Sequence, residues 1–288
     1  MSKILFIAPY PFDEAPSQRF RFEQYFSILK KAGFEIEEVP FLDDRGWKAL
    51  YQESSTAKKM LAMFRSFRRR FGLMFRIRKF DHIFIHREAS MIGPPFFEWV
   101  IAKVLRKKFI YDFDDAIWLP NYSESNAKFH KLKMYRKVNK IMKWAHQISA
   151  GNEFLAEYAA KFNSNIEVIP TTVDMINVHN KLGNQPQEVP VIGWTGSHTT
   201  AQYIPDLLPV LDEIYDQIKF KLVVISNLPP EFDRPYLDFI KWNGATEIKD
   251  LTQFNIGIMP LEDTEWTQGK CGFKAIQYMS LGIPTLLS

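Results

Sequence analysis

The chain has 288 residues, 46% of them hydrophobic, enough for one large or two ordinary domains and incompatible with wholesale disorder. Its single cysteine, Cys271, excludes a disulfide framework and suits a reducing cytoplasm; no apolar run is long enough to span a bilayer, and the first residues lack a secretory-leader layout. Net charge is only +4, yet residues 58–79 hold nine Lys and Arg with no acid and 128–143 form a second basic stretch, so the first half presents a positive face suited to an anionic partner.

Residues 3–9 are a short apolar run bounded by Pro-Tyr-Pro, the pattern of a buried parallel strand. Residues 17–32 have helical spacing and stop at Gly33, a C-cap position, before a strand over 34–41; this is a βαβ unit. In 58–79, Met60, Phe64, Phe67, Phe71 and Met74 recur at three- and four-residue steps, which predicts a basic amphipathic helix with Gly72 as a break. Such a stripe either packs on the domain with a solvated basic rim or docks on anionic lipid. Strands follow over 81–86, 108–113, 147–150 and 166–169, with helices over 94–105, 128–144 and 153–162. One doubly wound domain is thus expected over 1–170. Periodicity fades over 171–190, read as a linker. Alternation restarts over 191–288: strands at 191–194, 221–226, 246–248, 254–259 and 283–287, helices at 200–215, 235–242 and 273–281. The expected fold class is α/β, two Rossmann-like doubly wound domains. The last strand has no covering helix after it, so the second domain is expected to be incomplete at its C-terminus, a fragment.

In such sheets ligands bind at the carboxyl ends of the strands, so the loops there carry the candidates. After the first strand, Ser17 reads as a helix N-cap, while Arg19 and Arg21 offer planar charged donors to a phosphate or an acceptor. His86, Arg87 and Glu88 end another strand on the same rim. Asp112, Asp114 and Asp115 crowd between aromatic residues. Like charges repel and burial is costly, so fold stability explains three carboxylates poorly; sugar binding or acid/base work explains them better, against a bland N-capping role. In the second half, Gly196 and Ser197 lie in a Gly-Ser turn between strand and helix, where backbone amides approach an anion. Lys270 and Lys274 stand one turn apart where a helix begins, and Gln277 follows on the same side. Cys271 reads as a packed residue and not a nucleophile.

The stretch 277–285, Gln-Tyr-Met-Ser-Leu-Gly-Ile-Pro-Thr, resembles the end of the Glu-x7-Glu donor motif of the retaining family 4 (group 1) glycosyltransferases, which have the GT-B fold. Residues 168–174 resemble that family's Ile-Pro-Asn-Gly-Val-Asp boundary, and 256–261 its strand before the donor loop. The resemblance covers both domains in the right order. It implies that Gly196 and Ser197 contact the donor diphosphate, that Lys270 or Lys274 neutralises it, that Gln277 stands where a glutamate holds the ribose, and that Asp114 and Asp115 face the reacting sugar. The sequence departs from the family where both glutamates are missing, at Gly269 and Gln277, and where no basic residue follows the first glycine loop; Asp263 or Glu265 is the substitute for the lost acid.

These readings predict a hexosyltransferase-like glycosyltransferase moving sugar from a UDP- or GDP-linked donor to a carbohydrate or lipid-linked acceptor, with retention, no metal and no cofactor beyond the nucleotide-sugar co-substrate. The expected setting is polysaccharide biosynthesis in the cytoplasm, peripheral on the inner face of the membrane through 58–79, without nucleic acid. Two rivals stand beside it: a catalytically impaired sugar-nucleotide-binding scaffold of the same fold, and a glycoside hydrolase using the Asp112–Asp115 cluster.

Overall fold

Runs of three to seven residues, most of them apolar, become parallel strands throughout the computed structural model, which describes every residue except 52–54, 121–129 and 184–187. Two units result: Met1–Thr171 with Gln268–Cys271, and Thr172–Thr267 with Gly272–Ser288. The segment Gln268–Cys271, expected with the C-terminal domain, thus belongs to the first unit, and most of the expected linker belongs to the second; its residues 184–187 lie outside the described residues.

In chain order the first unit contains β1 (Ser2–Ala8), α1 (Pro16–Arg21), α2 (Phe26–Lys31), β2 (Phe34–Pro40), α3 (Asp44–Tyr51), α4 (Thr56–Arg76) and β3 (His82–His86). There follow α5 (Phe96–Trp99), β4 (Ile110–Phe113), α6 (Lys137–Trp144), β5 (Gln147–Ala150), α7 (Glu153–Ala160) and β6 (Ile166–Val168). The six strands pair in parallel in the order β2-β1-β3-β4-β5-β6, so the order reverses between β1 and β3.

The helices differ from expectation in physically legible ways. The helix expected over 17–32 is interrupted at Phe22 (φ −144°), whose ring leaves the helical path to stack on Phe6 at 5.3 Å in the core. The helix α4 runs unbroken through Gly72, because a glycine inside a long helix costs only about 1 kcal/mol. The helix expected over 94–105 is one α-turn, α5, continued by a π-helical turn over Val100–Val104. Residues 128 and 129 of the helix expected over 128–144 lie outside the described residues; a 3-10 turn, His130–Lys133, precedes α6 there.

The remaining elements are β7 (Val191–Thr195), α8 (His198–Ala201), α9 (Leu208–Gln217), β8 (Lys221–Ser226), β9 (Leu237–Lys241) and α10 (Glu247–Leu251). Then come β10 (Ile256–Met259), α11 (Glu265–Gln268), α12 (Phe273–Ser280) and β11 (Thr285–Leu287). Strand order is β11-β10-β7-β8-β9, all parallel, reversing between β7 and β10. Both faces of this sheet are covered: Leu222 and Val224 enter one apolar cluster, Val223 and Ile225 the other. On the second face the packing is so close that a Cβ on Gly193 would fall 2.0 Å from the Phe254 ring.

Two expectations are inverted here. The helix expected over 235–242 is the edge strand β9, and the strand expected over 246–248 is the helix α10. A stretch of five residues, Leu-Asp-Phe-Ile-Lys, is too short to hold a helix alone, and registry with β8 from Leu222–Leu237 to Ser226–Lys241 gives its backbone a ladder instead. In α10 the Thr246 hydroxyl donates to Asp250 at 2.6 Å across the first turn, and Glu247 complements the helix N-terminus.

Candidate functional site

A reversal of strand order opens a crevice at the carboxyl ends of the flanking strands, the place where open α/β sheets bind ligands. In the first unit these are the ends of β1 and β3. The parallel register sets His86 beside Asp112, and Asp112 beside Ser149, at the ends of β3, β4 and β5. Asp112 accepts from His86 Nδ1 at 2.7 Å, from Ser149 Oγ at 2.7 Å and from both Nε and Nη2 of Arg21. Arg21 also donates to Ser149 Oγ at 3.0 Å and to the carbonyl of Ile169. Burial alone would raise the Asp112 pKa, but the Arg21 charge and then His86 hold it well below the ordinary carboxylate range. Nε2 of His86 is buried without a hydrogen-bond partner among the described residues.

One step outward stands a second cluster. Arg87 adopts a left-handed backbone (φ 58°), which a non-glycine residue holds only when its surroundings fix it. Its amide donates to Asp112 O at 2.8 Å and its carbonyl accepts from Tyr111 Oη at 2.7 Å. That conformation aims the guanidinium at Asp114 (Nε 3.0 Å, Nη2 2.7 Å) and at Asp115. Asp115 accepts from Lys270 Nζ at 2.7 Å as well. Burial acts to raise the Asp115 pKa, but Lys270 and Arg87 outweigh it and hold the carboxyl low.

The Gln268–Cys271 segment is pinned here by Asn152, whose side-chain amide donates to the carbonyls of Gln268 and Lys270 at 3.1 Å each while its oxygen caps α7. Cys271 Sγ lies in the space of an absent Gly151 side chain, 2.3 Å from where its Cβ would stand. Burial, then Asp114 and Asp115, push the thiol up to about 12, so it stays neutral and packed, as its sequence context suggested.

Three sequence expectations are corrected by this arrangement. The carboxylates do not repel one another unrelieved, because each has its own cation: Arg21 for Asp112, Arg87 for Asp114, Arg87 and Lys270 for Asp115. Lys270 lies before α12 and in the first unit, and is not on the helix with Lys274. Ser17 is not the N-cap, since α1 starts at Pro16 after Ala15 and places Ser17 in its first turn. Of the other rim residues, Arg19 pairs with Asp13 at 3.1 Å and covers the Phe20 ring, and Glu88 turns to Lys137 at 2.9 Å.

In the second unit the crevice lies between the ends of β7 and β10. Gly196 follows β7, and a Cβ there would stand 2.6 Å from Cε of Lys274 and 2.8 Å from the Trp194 ring. The lysine stem therefore lies across the glycine, with its ammonium 5.3 Å from the centroid of Trp194. The Gly196 amide, expected to meet phosphate, donates to the carbonyl of Ile225 at 3.0 Å and keeps the turn against β8. Ser197 opens α8 and accepts from the Thr200 and Ala201 amides through its carbonyl. Before α12, Gly272 is left-handed (φ 63°). Gln277 is not brought to this rim: it is 1% exposed, its amide 3.3 Å from His179 Nε2 and 3.5 Å from Glu247 Oε1. Among the described residues there is no group of three or more metal-ligating side chains, and no helix is long and apolar enough to cross a membrane.

Sequence reasoning did not single out Ser149 and Asn152. The signal for Ser149 was present, a polar residue ending an apolar strand beside two others that do the same; Asn152 read only as a helix cap.

The sequence matches no protein-family model and no curated protein. Solved structures do match in fold. A glycosyltransferase from Rickettsia africae is similar with TM-score 0.65 at 14% identity, covering 99% of this chain and 79% of that one. Sucrose-phosphate synthase from Thermosynechococcus elongatus gives 0.64 at 11% over 100% and 81%. The catalytic domain of starch synthase IV from Arabidopsis thaliana, bound to ADP and acarbose, gives 0.62 at 9% over 99% and 82%. Two parallel sheets with interleaved helices, matched over the whole chain, place this protein in the two-domain α/β class of the GT-B fold.

Proposed function

We propose that the protein is a glycosyltransferase that takes its sugar from a UDP- or GDP-linked donor. A shared fold does not by itself fix a reaction, so the reading rests on residues. The observation that carries it is Lys274, the second residue of α12, lying across Gly196 beside the order reversal of the second sheet. A diphosphate in that crevice meets an ammonium, the small turn at Gly196 and Ser197, and the start of a helix, which together stabilise a departing nucleoside diphosphate without a metal ion. The fold neighbours that carry ADP or act on sugars agree with this chemistry.

In this proposal the first unit receives a carbohydrate or lipid-linked acceptor at the cytoplasmic face of a membrane, and transfer proceeds with retention. Asp114 and Asp115 act as positioning residues, fixing the Arg87 guanidinium at the rim; Arg21, His86 and Ser149 hold Asp112 behind them. Gln277 supports the interior of the second unit in place of holding ribose.

A second reading is favoured by one feature. The missing glutamates at Gly269 and Gln277, with Gln277 buried, suit a protein that binds sugar nucleotides without turning them over. Thermal denaturation with series of UDP- and GDP-sugars tests both. One series raises Tm in the wild type; ligand at a hundred times Kd adds about 2.7 kcal/mol. Lys274→Ala weakens that ligand at least about tenfold, the loss of one charge-assisted contact. No shift with either series refutes donor binding, and a shift without hydrolysis or transfer of labelled sugar selects the second reading.

A further inference from the structure

An amphipathic helix packed on a domain turns its apolar stripe inward. The helix α4 does so only in part: Met63, Phe67 and Met74 are half-buried, Phe67 against Phe41 and Phe97, and other apolar side chains face outward. The residues it buries are Ala62, Ser66, Arg70 and Leu73, of which Arg70 is 1% exposed and donates to the carbonyls of Val39 and Ala8. Its outward stripe is Met60, Phe64, Phe71 and Phe75, spaced four, seven and four residues apart on one side of the helix, with Phe64 67% and Phe75 90% exposed. The patch continues onto α5: the Phe71 ring is 5.8 Å from Phe96, which is 6.1 Å from Trp99, and all three are exposed. Contiguous apolar surface of this kind marks a contact site.

Charge says which kind. Arg69 and Arg76 of α4 are spent on Asp43 and Glu37. Arg65, Arg68, Arg78 and Lys79 are exposed, with no carboxylate among the described residues at ion-pair distance. Arg68 is four residues after Phe64 and three before Phe71, so it stands within the stripe. Beside the stripe, α3 and α4 bound a groove of about 170 Å³ lined by Arg45, Lys58 and Arg65 around Leu61 and Ala62. Its one acid among the described residues, Asp43, is already engaged by Arg69 at 2.8 Å and by the Gly46 amide at 2.7 Å.

We propose that the outward face of α4, continued by Phe96 and Trp99 of α5, is a docking surface for an anionic lipid bilayer. The aromatic stripe enters the headgroup–acyl boundary, and the flanking cations and the groove meet lipid phosphates. A second copy of the chain is the poorer occupant, because a face-to-face pair would bring these cations together. The inference deepens the membrane part of the proposed function but stands on the first unit alone, so it succeeds or fails apart from sugar transfer.

The test is co-sedimentation of the full chain with vesicles of phosphatidylcholine alone and with 30% phosphatidylglycerol (about that fraction suffices for a strongly negative surface). The wild type binds the anionic vesicles, weakly or not at all the neutral ones, and the binding falls as salt rises. Arg65→Glu with Arg68→Glu weakens it at least about 25-fold, about fivefold per cation removed. Phe64→Glu with Phe75→Glu abolishes it, while Lys241→Glu, an exposed cation of the other unit, leaves it unchanged; circular dichroism checks that each variant is folded. Trp99 fluorescence, isolated by subtraction of the Trp99→Phe variant, shifts to the blue on the same vesicles and is quenched by brominated acyl chains. Equal binding to neutral and anionic vesicles, no binding, or wild-type binding by either double variant overturns the proposal. So does a dimer in solution that Phe75→Glu dissolves while vesicles are ignored, which would assign the face to a second copy.

Discussion

Replacing Asp112 by Asn keeps the shape of the side chain and removes the negative charge that pairs directly with Arg21 in the interior of the first unit. Both side chains of that pair are 1% exposed, so the guanidinium cannot turn to water when its partner becomes neutral. A carboxamide also brings a donor into a position that now accepts from Arg21, His86 and Ser149. Breaking one side of a buried pair costs about 3–5 kcal/mol, a large share of the 5–15 kcal/mol typical of a whole domain. For a unit of this size the melting temperature falls by very roughly 6–20 °C.

Native-state hydrogen exchange of the β3, β4 and β5 amides reads this locally. A double variant, Arg21→Met with Asp112→Asn, identifies the cause: it is less destabilised than Asp112→Asn alone, because the stranded charge is gone. The pH dependence has a fixed sign. The folded-state pKa of Asp112 is depressed, so its contribution is complete above the unfolded carboxylate value near 3.8 and fades as pH falls toward the folded value. The wild-type and Asn curves therefore converge in acid. An Asp112→Asn protein within about 1 kcal/mol of wild type at pH 7, or strictly additive effects in the double variant, refutes the account of Asp112 as the charge that keeps Arg21 in place.

Burial, then Glu23, pushes the Glu38 carboxyl up to about 8, and one of its oxygens is buried without a partner among the described residues. The folded pKa is raised, so the ionisation penalty is absent near pH 4 and grows as pH rises toward 8; Glu38→Gln leaves stability unchanged at pH 4 and adds roughly 1–3 kcal/mol at pH 8.5, read from urea midpoints at the two pH values. Gly193→Ala sets a methyl 2.0 Å from the Phe254 ring; it destabilises the second unit by about 2 kcal/mol or more in the same assay, and Phe254→Leu in that background recovers part of the loss.

The strands were legible because apolar runs bounded by turn residues carry their own signal; β5 and β8 begin and end where periodicity placed them. The failure at 235–251 has the opposite cause, since neither β9 nor α10 holds its conformation from local preference: one depends on the ladder to β8, the other on a side-chain bond across its first turn. The aspartate cluster was visible as a cluster and opaque as a site. Two of its three cations come from 91 and 155 residues away, and no spacing rule links Arg21 to Asp112 or Lys270 to Asp115. The stripe of α4 was visible too, but periodicity reports that a helix has an apolar side, and only packing decides which side the domain takes.

Lys270 and Lys274 show most sharply what pattern leaves undecided. Four residues apart, they read as two equal claimants for a diphosphate. The Lys270 ammonium lies 2.7 Å from Asp115 in a cluster with Arg87 and Asp114, two cations and two carboxylates that sum to no net charge. An anion approaching Lys270 meets the field of Asp115 at nearly the same distance, so most of the attraction cancels. Pulling the lysine away would also leave a mostly buried carboxylate short of a partner, at a cost of a few kcal/mol. Lys274 stands elsewhere, in the second unit, with its stem across Gly196 and its ammonium 5.3 Å from the centroid of Trp194. Placement thus divides the pair. Lys270 fastens Gln268–Cys271 within the first unit together with Asn152, which leaves Lys274 as the lysine that the proposed function assigns to a donor diphosphate.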